Sequence, residues 1–324
     1  MNILYTCDNQ YLSYLLVSLY SLVENTREPL HIYIGFENLS LQNQKRIDTF
    51  LSSYQNVSLT FLKEEKVTKI LDTYHLPTWR DSRTASIRLF FRELLPDIEK
   101  LLYLDSDTIL TSDIKNWASF SSSKPVSAVL DAILPKHYQD FIQKDTFYFN
   151  SGVLYLNGKA WDRENGTQKV VDCLQKSSLP LIYPDQDLLN LAFQNQIGLL
   201  EPAYNVFPHH YLQSYNHFKK LFPNYTKGYK EEDFLVARDS PKILHLLSVL
   251  GFRPWHQNNF HPFSSVFDFY IQKVEPTFEK EKVDYPFRFF QKANRHTMSY
   301  LQYYKSYLKE DCLDVIKEKV YKKN

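Results

Sequence analysis

The chain has 324 residues, enough for about two domains, or for one large domain with an appendage, around a core that needs no disulfides. The net charge of +1 argues against a globally basic nucleic-acid-binding protein, and the 44% apolar fraction argues against disorder. Aromatic residues make up 16% of the chain, which favours a core rich in Tyr and Phe; stacking of some rings on bases or sugars is the other interpretation.

Predicted strands and helices alternate from the N-terminus. Strands are predicted over Asn2–Cys7, Leu30–Phe36, 57–62, 101–104, Val126–Leu130, 147–156 and 242–247. Helices are predicted over 11–23, 41–54, 86–95, 161–176 and 185–194. Ser40 precedes the second helix as a predicted N-cap. The β-α-β-α-β order at the start indicates a mostly parallel sheet with helices on both faces.

Glycine and cysteine usage excludes several kinds of site. The seven glycines show neither the G-x-G-x-x-G nor the P-loop spacing, so we expect a nucleotide phosphate to be held by a metal ion and side chains. The cysteines, Cys7, Cys173 and Cys312, are far apart and odd in number, which fits a reducing compartment. The start has no signal-peptide pattern and the run 11–23 is too short to span a bilayer. We therefore expect a cytoplasmic protein, with association at the cytosolic face of a membrane left open.

Acidic residues follow directly after several predicted strands, at the edge where open α/β sheets bind ligands. They are Asp8, Asp105, Asp107 and Asp131. Asp105 and Asp107 stand at i and i+2 on a turn, so their carboxylates can share a hard divalent cation such as Mn²⁺ or Mg²⁺. A D-x-D pair alone is a weak signal, because Asp185-Gln186-Asp187 is a second one.

Other candidate residues each carry a structural and a functional interpretation. His245, on a late strand, is either a core histidine or a third metal ligand. Asn150 either closes a bulge or binds substrate hydroxyls, and Asp185 either caps the next helix or does the same. Arg88 forms a surface ion pair, binds phosphate or orients a carboxylate. Tyr11, three residues after Asp8, either packs or stacks on a base whose N–H Asp8 accepts.

Five segments together resemble family 8 glycosyltransferases: NILYTCDNQYLSYLLVSLYSL, IRLFFRELLPDIEKLLYLDSDTIL, YFNSGVLYLNGKAW, YPDQDLLN and HLLSVLGFRPWH. Their order and spacing over about residues 1–256 make the resemblance specific. It implies a GT-A fold, which is a Rossmann-like mixed, mostly parallel sheet flanked by helices. It also implies a UDP-hexose donor, Mn²⁺ and retention of the anomeric configuration.

The resemblance also implies roles for individual residues. The uracil would be held by Asp8 and Tyr11, and Gln10 would be a further residue of the donor-binding site. The metal ligands would be Asp105, Asp107 and His245, with Asp105 also facing the donor. The donor sugar would be held by Arg88, Asp131, Asn150 and Asp185, with Gln186 beside the anomeric carbon. Ser248, Gly251 and Arg253 would also bind the donor, with Arg253 able to neutralise its diphosphate. In the late motif, Ser248 replaces a glycine of the family pattern, Arg253 replaces a lysine, and two extra residues precede Pro254-Trp255.

The resemblance does not cover the last part of the chain. We therefore expect a catalytic domain over 1–259 and a helical C-terminal extension over 260–324. Residues 281–324 hold ten basic and six acidic residues, and Tyr300, Tyr303, Tyr304 and Tyr307 follow helical spacing. This stripe is predicted to pack against the catalytic domain or another subunit, in a homo-oligomer for example; acceptor binding and contact with anionic lipid are the other options.

The expected function is transfer of a hexose, galactose first and glucose second, from a UDP-sugar to a glycan acceptor. The acceptor would be an O-glycan of a bacterial surface glycoprotein, or a cell-surface polysaccharide or lipopolysaccharide. A second class is a non-catalytic module of the same fold that binds sugar nucleotides or carbohydrate, or serves as an assembly partner. A third is a sugar-nucleotide hydrolase or nucleotidyltransferase.

Overall fold

The computed structural model describes residues 1–283 except positions 80, 116, 118–119, 133, 136–137, 139–145, 177, 179–180, 250, 258 and 260. The predicted tyrosine stripe at 300–307 and Cys312 lie outside the described residues. None of the helices in the described part of the chain combines the length and apolar character that crossing a bilayer requires.

The described strands are β1 (Asn2–Cys7), β2 (Leu30–Phe36), β3 (Val57–Phe61), β4 (Lys100–Leu104), β5 (Thr108–Leu110), β6 (Val126–Leu130), β7 (Phe149–Asn157), β8 (Ile197–Leu199) and β9 (Ile243–His245). The described helices are α1 (Leu12–Asn25), α2 (Leu41–Leu51), α3 (Glu64–Thr73), α4 (Phe91–Leu94), α5 (Gly158–Arg163), α6 (Gly166–Lys176), α7 (Pro184–Ala192), α8 (His209–Leu212), α9 (Tyr215–Leu221), α10 (Pro223–Thr226), α11 (Glu231–Asp239) and α12 (Ser264–Val274). Three short 3-10 helices cover Asn9–Tyr11, Thr84–Phe90 and Pro202–Tyr204.

Seven strands form one sheet in the order β3-β2-β1-β4-β7-β6-β8. Within this sheet all the pairings are parallel except those of β7, which runs antiparallel to both of its neighbours, β4 and β6. The prediction of a mostly parallel sheet flanked by helices is confirmed. Because β7 alone is reversed, its first residues lie at the same edge as the carboxyl ends of β1, β4 and β6.

Burial follows the position of each strand in the sheet. The central strands β1, β4, β6 and β7 are buried along almost their whole length, because helices cover both faces. The edge strand β3 instead alternates between half-buried and exposed positions. Many Tyr and Phe residues of the described part of the chain join this core, as the composition favoured, and the Tyr5 hydroxyl lies 3.1 Å from Ser18 Oγ.

A second hydrophobic cluster lies beside the main core. It joins α1 and α12 to the small sheet formed by β5 and β9, through Val17, Ile109, Leu244, Phe267 and Tyr270 among others. Ser13 also donates a hydrogen bond to the Glu275 carboxylate at 2.6 Å. Helix α12, in the segment expected to form the extension, therefore packs directly against α1.

Two predicted helices are wrong as single α-helices. The predicted helix over 161–176 is interrupted, because Asn165 adopts a left-handed backbone with φ of 53° between α5 and α6. The predicted helix over 86–95 is a 3-10 helix, Thr84–Phe90, followed by the single turn α4. Ser40 caps α2 as predicted, since its side chain accepts from the Asn43 N–H.

Two buried histidines make stability depend on pH. The His261 Nε2–H donates to the Leu247 carbonyl at 2.8 Å, and its Nδ1 accepts from the Phe263 N–H at 3.2 Å, so only the neutral ring satisfies both contacts. Burial lowers the pKa of His261 and of His210 to about 3. The unfolded chain therefore binds more protons than the folded chain below about pH 6.5.

The free energy of unfolding is therefore expected to fall as the pH is lowered from about 6.5 towards 4, by up to about 1.4 kcal/mol per pH unit for each of these histidines. Urea denaturation at pH 7 and pH 5 measures this. His261→Gln should lower stability at pH 7 yet reduce the loss between the two pH values. The exposed control His75→Asn should leave that loss unchanged. An identical pH dependence in His261→Gln and wild type would contradict the assignment.

Candidate active site

The acidic turn after β4 is held firmly from three sides. The Asp105 N–H donates to the Gly152 carbonyl at 2.8 Å, which ties the turn to β7. The Ser106 hydroxyl donates to the Thr6 carbonyl on β1 at 2.7 Å. The Thr108 hydroxyl donates back to the Asp105 carbonyl at 2.8 Å. The backbone carrying the two carboxylates is thus fixed by neighbouring strands.

His245 reaches this turn through the second sheet. In the pairing of β5 with β9, His245 faces Thr108, the residue directly after Asp107. Its Nε2 lies 3.3 Å from Asp107 Oδ1 and 3.6 Å from Asp105 Oδ2, and the potential ligand atoms of the three residues lie within 4.8 Å of one another. On the other side of the ring, Nδ1 lies 3.1 Å from Asn205 Oδ1. In a metal-bound site, Nδ1–H would donate to Asn205 and Nε2 would offer its lone pair to the cation; without a metal ion, a proton on Nε2 can instead donate to Asp107 Oδ1.

This group fits a divalent cation. Two carboxylate oxygens and one imidazole nitrogen converge, and this donor set suits Mn²⁺ or Mg²⁺. The remaining carboxylate oxygens are held from outside: Arg88 Nη2 donates to Asp105 Oδ1 at 2.7 Å, and Arg253 Nη1 donates to Asp107 Oδ2 at 2.5 Å.

The two carboxyl groups titrate differently. Burial raises the pKa of Asp105, and the neighbouring Asp107 charge adds to that effect although Arg88 opposes it. Burial also works against ionisation of Asp107, but His245 and Arg253 outweigh it and hold the pKa of Asp107 below its usual range. Asp107 is therefore an anion at neutral pH even without a metal ion.

A second polar network surrounds Asp131, directly after β6. Asn150 Nδ2 and Gln186 Nε2 both donate to Asp131 Oδ2, at 3.1 and 3.0 Å. Gln186 Oε1 accepts from the Ser151 N–H at 3.0 Å. Asn150 Oδ1 accepts from Asn205 Nδ2 at 2.9 Å. Asn205 therefore connects this network with His245, and the two groups form one site.

The reversed strand explains how Asn150 enters the site. Asn150 stands near the start of β7, in a stretch where the pairing register with β6 shifts: Leu130 faces Phe149, whereas Ala128 faces Leu154. Asn150 therefore lies both at this irregularity in the strand pairing and in the polar network, and its binding of substrate hydroxyls stays a prediction.

Asp185 and Arg88 meet beside this network. The Ser151 hydroxyl donates to Asp185 Oδ2 at 2.9 Å, and Arg88 Nε lies 3.4 Å from the same oxygen. Asp185 does not cap α7: the N-cap is Tyr183 and has no side-chain cap bond. The surface ion pair considered for Arg88 is wrong, because its side chain is only 3% exposed.

The second D-x-D pair is not a second metal pair. The Asp187 side chain is buried and accepts from the Tyr148 hydroxyl at 2.7 Å and from the Ile182 and Tyr183 N–H groups at 3.1 and 3.0 Å. Asp187 therefore fixes the backbone of the loop that leads into α7, and the first turn of α7 carries Asp185 and Gln186 into the site.

Asp8 lies at the carboxyl end of β1, the strand next to β4. Its Oδ1 accepts from the Gln10 and Tyr11 N–H groups at 3.0 and 3.2 Å, and its Oδ2 accepts from the Ser82 hydroxyl at 3.0 Å. The Gln10 side chain is exposed, whereas Tyr11 is half-buried and packs edge-on against Tyr14 at 5.4 Å between ring centroids.

The late motif forms a tight turn that leads to Arg253. Val249 and Phe252 exchange both backbone hydrogen bonds at 2.9 Å, and Gly251 has a φ of 87°, in the left-handed region that favours glycine. Ser248 is half-buried beside this turn, and Arg253 extends back to Asp107 and to the Leu246 carbonyl.

The sequence analysis missed several residues of the site, namely Ser82, Tyr103, Ser151, Gly152 and Asn205. Tyr103 donates to Asp105 Oδ1 at 2.7 Å, and its ring lies 4.0 Å from the Arg88 guanidinium carbon. The rarity of glycine was a usable signal for Gly152, and Ser151 stands beside Asn150. Asn205 carried no local signal, because only tertiary folding brings it to His245.

Comparison with known proteins decides the family. The profile described as glycosyl transferase family 8 matches residues 2–259, most of the chain. The chain belongs to this family. The earlier resemblance is confirmed, and the protein is a glycosyltransferase that takes a sugar donor and a glycan acceptor.

Relatives and solved structures agree with the family. A lipopolysaccharide 1,2-glucosyltransferase of Escherichia coli K12 is 27% identical over 81% of this chain and 75% of its own length. General stress protein A of Bacillus subtilis is 26% identical over 84% of this chain and 93% of its own length. The crystal structure of the galactosyltransferase LgtC with donor and acceptor sugar analogues superimposes with a TM-score of 0.67, at 21% identity, over 85% of this chain and 96% of that one. The GT-A fold of this family 8 glycosyltransferase is confirmed.

Gly152→Ala tests whether the metal group depends on close packing. A Cβ at Gly152 would lie 2.1 Å from His245 Cε1 and 2.8 Å from Asp105 Oδ2, so at least one ligand must move. We expect divalent-cation affinity, measured with Mn²⁺ by electron paramagnetic resonance, to fall at least about tenfold.

Gly198→Ala is the control, because its Cβ would crowd Ser127 and Ser122 on other elements instead. It should affect thermal stability without changing Mn²⁺ affinity. Unchanged Mn²⁺ binding in Gly152→Ala would show that these residues do not form the metal site.

Proposed function

We propose that this family 8 glycosyltransferase transfers a hexose from a UDP-hexose to a glycan acceptor, with Mn²⁺ as cofactor and with retention of the anomeric configuration. Mg²⁺ is the second candidate metal. The observation that carries the proposal is the connection of the Asp105–Asp107–His245 group, through Asn205, to the Asn150–Asp131–Gln186 network. A cation-binding group thus adjoins a cluster of hydroxyl-binding side chains.

The proposed metal ion would be held by Asp105, Asp107 and His245, and would supply positive charge to the departing UDP. On the base side, Asp8 accepts an N–H of the uracil and Tyr11 stacks on its ring. Ser82 supports this role, because its hydroxyl already orients Asp8 Oδ2. Gln10, Ser248 and Gly251 contribute to the remaining donor contacts.

The donor sugar lies against Arg88, Asp131, Asn150 and Asp185 in this proposal, with Gln186 beside the anomeric carbon. Each of these side chains is already held by a neighbour, so little ordering is needed when the sugar binds. Retention is proposed to follow front-face attack by the acceptor hydroxyl. A neutral amide such as Gln186 is a weak nucleophile, and Asp185 is engaged by Ser151 and Arg88.

The acceptor is proposed to be a growing cell-surface glycan, such as lipopolysaccharide or the O-glycan of a surface glycoprotein, modified in the cytoplasm or at the cytosolic face of the membrane. The glucosyltransferase relative supports a lipopolysaccharide-type acceptor. The extension 260–324 is proposed to contact a second subunit or that membrane.

The donor is identified by UDP release from a panel of UDP-sugars with Mn²⁺ and with EDTA. Slow hydrolysis of the true donor makes an acceptor unnecessary. We expect one hexose, with UDP-galactose tested first and UDP-glucose second, to release UDP only with Mn²⁺. If UDP-sugars bind but no UDP is released, even in the presence of each acceptor of a glycan panel, the result would instead favour the non-catalytic module.

Asp107→Ala should abolish Mn²⁺-stimulated UDP release, because it removes the metal ligand that is ionised without help from the metal. Asp113→Ala removes an exposed carboxylate six residues further along the chain and should retain wild-type rates. The comparison uses initial rates at saturating donor. Near-normal Mn²⁺ stimulation in Asp107→Ala would refute the metal assignment.

A further inference from the structure

The two arginines at the metal group are bound in different ways. Arg88 uses all three guanidinium nitrogens: Nε donates to the Ala85 carbonyl, Nη1 to the Ser151 carbonyl and Nη2 to Asp105 Oδ1, at 2.6 to 2.8 Å. It is therefore a fixed part of the site, and a newly arriving anion would have to break existing bonds to recruit it.

Arg253 has donors to spare. Within the described residues its side-chain hydrogen bonds come from Nη1 alone, to Asp107 Oδ2 at 2.5 Å and to the Leu246 carbonyl at 2.6 Å. Nε is buried and has no hydrogen-bond partner among these residues, although only 8% of the side chain is exposed. A buried, unpaired N–H of a cation is unfavourable, and oxygen atoms of a phosphate group are strong acceptors for it.

The Arg253 backbone is fixed by a hydrogen bond, whereas its guanidinium is held through one nitrogen. The Arg253 N–H donates to His256 Nδ1 at 3.1 Å, and the guanidinium carbon lies 5.3 Å from the Trp255 ring. The backbone at Arg253 is therefore fixed, whereas the hydrogen bonds of its guanidinium all come from Nη1.

Arg253 also affects the metal group directly. Its positive charge lies on Asp107 Oδ2, while Asp107 Oδ1 faces His245 and is the oxygen available to a cation. A divalent ion bound there would face this guanidinium across one carboxylate, and the repulsion between them weakens metal binding.

We propose that Arg253 is a positioning residue that makes metal binding conditional on the donor: without a diphosphate it neutralises Asp107 and disfavours the metal ion, and a bound diphosphate takes up its unused donors and relieves the repulsion. This inference rests on the proposed metal site and nucleotide-sugar donor. By thermodynamic linkage, the diphosphate and the metal ion then strengthen each other's binding to the same extent.

The test measures Mn²⁺ dissociation constants by electron paramagnetic resonance, without turnover. Without nucleotide, Arg253→Met should bind Mn²⁺ about tenfold more tightly than wild type, or more. Arg253→Lys keeps the charge and should stay within about threefold of wild type. Arg92→Met removes an arginine of a distant ion pair, with Asp162, and should not change the constant.

Nucleotide provides the second arm. With saturating UDP, the difference in Mn²⁺ affinity between Arg253→Met and wild type should shrink to about threefold or less, after correction for Mn²⁺ that UDP binds in solution. Uridine, which has no phosphate, should leave this difference unchanged. If Arg253→Met does not fold, Arg253→Gln serves instead, because its amide can still donate to Leu246 but carries no charge.

Unchanged or weaker Mn²⁺ binding by the neutral variants without nucleotide would overturn the inference while leaving the metal site in place. The same holds if their advantage persists undiminished with UDP. Failure of the proposed function looks different: wild type and Asp107→Ala would then bind Mn²⁺ equally, and both the metal assignment and this inference would fall.

Discussion

The site depends on one side chain, the amide of Asn205. Its oxygen lies 3.1 Å from His245 Nδ1, and its nitrogen donates to Asn150 Oδ1 at 2.9 Å. His245 belongs to the small sheet and Asn150 to the large one, so this fully buried amide joins two structural units at the point where their functional groups meet. Buried polar networks are stable only when each member is satisfied, and Asn205 satisfies both halves at once.

The charged side chains of the site must also be paired with one another. Asp105, Asp107, Arg88 and Arg253 lie in a largely buried region, where each unpaired charge is costly and each pair is strong. Arg88 donates from all three of its guanidinium nitrogens and is a fixed partner of the Asp105 carboxylate. Arg253 is not saturated, and a group of this kind is the one that a ligand can recruit. The acidic turn thus has a fixed arginine, Arg88, on one side and an arginine with an unused buried donor, Arg253, on the other.

The sequence predicted the elements whose residues carry local patterns. The buried strands β1, β2 and β6 match their predicted bounds because short, mostly apolar runs of five to seven residues are typical of strands that are buried in a sheet. It also predicted the family and named most of the residues that the structure brings together in the candidate site. It missed Asn205 and Ser82, because polar residues in loops carry no periodicity, and only the folded chain brings them to His245 and Asp8. The split at Asn165 was missed because a left-handed residue other than glycine leaves little trace in a hydrophobic pattern.

The aromatic residues have a consequence beyond filling the core. Tyr11, next to Asp8, packs edge-on against Tyr14, and Tyr14 stacks on Trp255 with 4.0 Å between ring centroids. Tyr14 also donates a hydrogen bond to Glu281, whose backbone N–H donates to the Trp255 carbonyl. Trp255 stands two residues after Arg253. A continuous series of ring contacts therefore runs from the proposed base-binding end of the site to the segment that carries Arg253. Glu281, which lies after residue 259, is bonded to two residues of this series. Displacement of the chain around Glu281 would thus disturb both ends of the proposed donor site together.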